Sequence, residues 1–151
     1  MPFSHSGQIS AIVSEVESLK PESILDVGVG MGQYGFLLRT NLENINLFTI
    51  NGAVARRAPR EAWRVRIEGV EGFPEYLTPV HDYAYNKIHI GNALDVLPTL
   101  PEASFDLVIA IDILEHFTKE DGLRFLHMLK RVSRKHVLVS TPKDFIHQEV
   151  E

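Results

Sequence analysis

A short strand that runs into three closely spaced glycines and then into a helix leaves few folds open, and residues 24–38 read in that way. Ile24-Leu25 is apolar, Asp26-Val27-Gly28-Val29-Gly30-Met31-Gly32 follows, and Tyr34, Phe36, Leu37 and Leu38 continue as an apolar helical pattern. Glycine takes positive φ without a steric cost and lets a ligand come close to the backbone. The rest of the chain alternates around this turn. Ile9, Ile12, Val13, Val16 and Leu19 recur at helical spacing and predict an amphipathic helix over 6–19, ended by Pro21. Strands are expected at 23–27, 65–70, 87–90, 105–111 and 136–140, and the glycine turn opens a helix over 32–40. Residues 105–111 are apolar on both faces, as a central parallel strand should be. A helix over 119–131 places Leu123, Leu126, Met128 and Leu129 on or near one face. Residues 73–85 read as helical, with Pro79 kinking or ending a turn, and 41–63 has no clean period. Strands alternating with helices imply a parallel sheet covered on both sides, with ligands bound outside the carboxyl ends of the strands.

Bulk properties remove several functional classes. The 151 residues suffice for one domain with a real core, 1–151, with 41–64 as a mobile insertion. A net charge of −5 gives no chain-wide basic footprint for nucleic acid, and the absence of cysteine excludes thiolate nucleophiles and zinc–thiolate sites. The first residues carry no basic and apolar leader, and the longest apolar run, 107–114, is interrupted by Asp112. A cytoplasmic protein with no membrane association is the expectation.

The ligand of the glycine turn is set by its register. Gly30-x-Gly32-x-x-Gly35 matches a dinucleotide fingerprint, but the strand ends near Val27, so Gly35 falls inside the helix. The other register, Asp26-x-Gly28-x-Gly30-x-Gly32, puts an acid at the strand end. Three readings stay open: a tight turn with no ligand, a nucleotide phosphate, or an adenosine that carries an amino acid. Asp26 favours the last, because a carboxylate repels a pyrophosphate and attracts a cationic amine.

Residues 24–32 resemble the first motif of class I S-adenosylmethionine-dependent methyltransferases. Gly69-Val70-Glu71, Gly91-Asn92-Ala93-Leu94, Ser104–Ile109 with Asp112-Ile113-Leu114-Glu115-His116, and Val137–Pro142 resemble later motifs in the same order. The resemblance implies a Rossmann-like, doubly wound, mostly parallel sheet with S-adenosylmethionine as cofactor. It implies that Asp26 holds the methionine amino group and that Gly28, Gly30 and Gly32 meet the methionine part. Glu71 is then the partner of the ribose hydroxyls, and Asn92 with Ala93 receives the adenine. Asn92 stands where that family usually has aspartate. Asp112 lies at the active-site rim, beside the cofactor, and Asp112 and His116 are the candidate catalytic residues. Their plainer readings are structural, with Glu115 starting or capping the next helix.

No metal-ligand spacing joins His5, His81, His89, His127, His136 and His147. Arg56, Arg57, Arg60, Arg64 and Arg66 cluster around Trp63, either as a basic lip for an anionic substrate or as a solvated loop with Trp63 packed on the domain. The resemblance implies a C-terminal strand hairpin that this sequence is expected to lack: either the sequence is a piece of a longer protein, or a second copy in a homodimer covers the apolar strand edge that remains. The expected function is methyl transfer to a small-molecule acceptor. A catalytically silent cofactor-binding or regulatory module and an NAD-dependent oxidoreductase are the alternatives.

Overall fold

The computed structural model describes residues 6–142. Five strands form one parallel sheet in the order β5-β4-β1-β6-β7, and β2 and β3 form a separate antiparallel hairpin. The strands are β1 (Ser23–Val27), β2 (Phe48–Asn51), β3 (Val54–Arg57), β4 (Arg66–Glu71), β5 (Lys87–Ile90), β6 (Phe105–Ile111) and β7 (Ser133–Ser140). The helices are α1 (Ser6–Leu19), α2 (Gln33–Glu43), α3 (Pro79–Ala84), α4 (Ala93–Val96) and α5 (Lys119–Val132).

Central strands β1 and β6 are buried at every position. Alternate residues therefore feed two cores. Ile24, Ile67, Leu107 and Ile109 face Ile12 and Val16 of α1, Tyr34 and Leu38 of α2, and Tyr85. Leu25, Val27, Val70 and Val108 face Ala93 and Leu97 and the α5 residues Phe125, Leu129 and Val132. A strand buried on both sides has no solvent face to fill with polar residues, which explains the apolar run Leu107–Ile111 in β6.

Two expectations are corrected here, and one open stretch is resolved. Pro79 does not kink a helix across 73–85. It opens α3, with Thr78 as N-cap accepting from Val80 N, and Pro74–Tyr76 forms a separate 3-10 turn. The buried face of α5 is Gly122, Phe125, Leu129 and Val132, while Leu123 is exposed. The stretch without a period, 41–63, contains the β2–β3 hairpin, exposed at all eight positions.

Trp63 is buried and stacks 3.9 Å below the Arg39 guanidinium, so it packs on the domain. Arg57 donates to Tyr83 O and Arg60 to Asp82 O, fastening the hairpin to α3. Arg39 itself has no exposed surface and donates to Ala84 O, Val65 O, Asn86 Oδ1 and Glu43 Oε1. Burial lowers its guanidinium to about 10 despite the Glu43 carboxylate beside it. Among the described residues β7 is the last strand, and Val137 on it is exposed.

Candidate cofactor pocket at the carboxyl ends of the strands

The glycine turn between β1 and α2 is built by backbone conformations that L side chains avoid: Gly28, Gly30 and Gly32 have φ of 83°, 52° and 79°. Gly28 N and Val29 N both donate to Val70 O, so the turn folds over the end of β4. A Cβ on Gly28 would lie 2.9 Å from Ile113 Cδ1, which brings the loop after β6 against the turn. Gly91 N donates to Glu71 O at 2.8 Å, tying in the loop after β5. Four strand ends therefore meet around one turn.

Two carboxylates lie beneath it. Asp26 is 2% exposed and Glu71 4%. Burial pushes the Asp26 carboxyl up to about 7; a hydrogen bond from Tyr85 Oη at 2.6 Å works against this, and the nearby Glu71 charge adds to it. Glu71 accepts from Gly30 N and Phe73 N, each at 2.8 Å. Among the described residues neither carboxylate has a lysine, arginine or histidine as ion-pair partner. Buried charges are normally paired, so once Asp26 ionises this end of the sheet carries negative charge that no side chain among the described residues balances.

The remaining expected residues are placed as follows. Asn92 is the N-cap of α4, its Oδ1 accepting from Leu94 N at 2.9 Å, and its amide stands exposed beside the buried Ala93. Asp112 follows β6 with a φ of 52°, uncommon for a side chain other than glycine. Its Oδ1 accepts from Gln8 Nε2, which also donates to Ser140 Oγ, so α1 closes over this end of the sheet. His116 is exposed at the end of the 3-10 turn Leu114–His116. Glu115 does not cap α5; Thr118 does, accepting from Asp121 N. Burial raises the Glu115 carboxyl.

Two residues of this site escape a sequence reading. His81 is buried, its Nδ1 accepts from Thr78 N at 3.0 Å, and its Nε2 therefore donates to Gly30 O at 3.0 Å. Thr78 and His81 form a reciprocal capping box, whose spacing is the one sequence signal available. Tyr85 lies between α2 and β4, with no motif to announce it. No group of three or more His, Asp or Glu among the described residues is arranged to hold a metal ion. No helix among them is long and apolar enough to cross a membrane.

A family model described as "Methyltransferase domain" matches residues 25–140, from β1 through the end of β7. A Nostoc punctiforme protein assigned as an O-methyltransferase superposes with a TM-score of 0.62 at 18% identity, over 89% of this chain and 36% of its own. A Staphylococcus aureus protein assigned as a caffeoyl-CoA O-methyltransferase gives 0.59 at 12% identity, over 87% of this chain and 54% of its own. A SAM dependent methyltransferase from Archaeoglobus fulgidus gives 0.53 at 14%, over 83% and 48%. The chain thus spans between 36% and 54% of the length of these structures. No curated protein matches it.

Proposed function

The chain belongs to the family of methyltransferase domains, and from that premise we propose that it binds S-adenosylmethionine and transfers its methyl group to a small-molecule acceptor. The supporting observation is the uncompensated charge of the pocket. Asp26 and Glu71 are buried at adjacent strand ends beside a turn of positive-φ glycines, and no cation among the described residues pairs with them. A ligand bearing an ammonium group fits that deficit, whereas a pyrophosphate would add to it.

In this reading the Asp26 carboxylate accepts from the ligand's ammonium group, and the turn at Gly28, Gly30 and Gly32 supplies backbone groups to its amino-acid end. Each Glu71 oxygen keeps a lone pair after its backbone bond, which lets it accept from ribose hydroxyls. Asn92 and Ala93 flank the adenine, and Asp112 closes the opposite side. When bound, the cofactor supplies a methyl group already activated by its sulfonium. The protein's task is alignment and exclusion of water. In this reading His116, exposed on the turn after β6, takes a proton from an acceptor, and Asp112 orients that acceptor. A second copy of the chain covering β7 completes the reading.

Calorimetry with S-adenosylhomocysteine and, in parallel, NAD tests this. Binding of the sulfur nucleoside alone is expected; binding of NAD alone overturns the assignment. Binding without turnover across a broad acceptor panel would instead favour a silent cofactor-binding module.

A further inference from the structure

We propose that Tyr85 is a positioning residue for the cofactor's amino-acid end, acting through Asp26. This rests on the reading of the pocket given above and extends it to a residue outside every motif of the sequence.

The Tyr85 hydroxyl is used twice. It donates to Asp26 Oδ2 at 2.6 Å and accepts from Gly35 N at 3.1 Å. Tyr85 is 1% exposed, and its ring is locked in place from two sides. A Cβ on Gly35 would lie 2.0 Å from Cζ, and one on Gly69 would lie 3.2 Å from Cε1. The glycine inside α2 thus exists at a place where the backbone must approach this ring. On its other side the ring stacks against His81, with centroids 5.9 Å apart. A phenol so held has one direction in which to point its proton, and that direction is Asp26.

The consequence for Asp26 is twofold. The bond fixes which carboxylate oxygen is engaged; among the described residues the other accepts no hydrogen bond and is left for a ligand. It also favours the ionised form against the cost of burial, which holds the Asp26 carboxyl up at about 7, so the phenol enlarges the fraction of Asp26 that meets an incoming ammonium as a carboxylate. The titratable groups around it are Tyr85, Glu71 of β4, His81 of α3, which reaches the same turn through Gly30 O, and Asp112 after β6, the strand beside β1.

The test compares Tyr85→Phe with the unaltered protein, measuring dissociation constants for two probes between about pH 6 and 9. S-adenosylhomocysteine carries the amino group, and 5′-methylthioadenosine lacks the amino-acid end. If loss of the phenol raises the Asp26 carboxyl by about one unit, S-adenosylhomocysteine affinity falls about fivefold at pH 7, and the deficit fades toward pH 9. Methylthioadenosine affinity should match in both proteins at every pH, which also reports an intact fold and absorbs any pH effect that does not act through the amino-acid end. In an Asp26→Asn background the tyrosine change should have no further effect on S-adenosylhomocysteine. Equal losses for the two probes would overturn the proposal, and so would an S-adenosylhomocysteine affinity left unchanged by the loss of the phenol. Failure of the unaltered protein to bind S-adenosylhomocysteine would overturn the cofactor reading itself.

Discussion

Asp26→Asn should stabilise the ligand-free protein, by an amount that grows with pH. The Asp26 carboxyl ionises near 3.8 in an unfolded chain and at about 7 in the folded one, chiefly because it is buried, with the Tyr85 hydrogen bond opposing and Glu71 adding to the shift. Between those values the folded state holds a proton that the unfolded state has released. Stability is therefore lost as pH rises, by about 1.4 kcal/mol for each unit, or about 4 kcal/mol across the window. Asparagine does not titrate, keeps an oxygen for the Tyr85 hydroxyl and has nearly the same shape. The variant and the unaltered protein should be equally stable at about pH 4, and the variant should lead by up to about 4 kcal/mol at about pH 8. Urea unfolding at several pH values, with equal m-values for both proteins, measures the gap. A gap that does not change with pH, or that narrows as pH rises, would refute the charge assignment. The gain in stability should come with weaker S-adenosylhomocysteine binding, the exchange expected where a site is held in a costly state for function.

Two further changes probe the supports of the pocket. Gly35→Ala drives a methyl group to within 2.0 Å of Tyr85 Cζ and should cost about 2–4 kcal/mol, read as a lowered melting temperature; a loss below about 0.5 kcal/mol would show that the ring moves freely. Arg39→Met removes the buried partner of the Glu43 carboxylate, leaving it only the longer 3.8 Å contact to the exposed Arg64, and should cost about 3–5 kcal/mol in chemical denaturation, with Arg39→Met/Glu43→Gln recovering a large part; no recovery in the double variant would place the cost elsewhere.

The sequence is legible where burial imposes a period. Residues 6–19 and 105–111 match α1 and β6 because one buries a helical stripe and the other is enclosed on both faces. The β2–β3 hairpin is illegible for the opposite reason: with every position exposed, nothing forces alternation. Pro79 misled because its place depends on Thr78, whose hydroxyl caps the helix that proline begins. The same division runs through the site. Asp26 and the glycines are readable because strand, turn and helix are contiguous. Tyr85 reaches Asp26 from 59 residues away, and His81 reaches Gly30 from 51, so only folding brings them together.

Glu43 gives the segment between α2 and β4 an unusual freedom. Its Oε1 accepts from Val65 N at 2.7 Å and from Arg39, while Arg39 donates to Val65 O, so the last turn of α2 and the residue before β4 are clasped directly. The 44–64 segment leaves and returns through that clasp. Lengthening a surface loop whose ends are already held adds only about 0.6 kcal/mol for each doubling. The exposed β2–β3 hairpin can thus change length while the sheet and its glycine turn keep their dimensions.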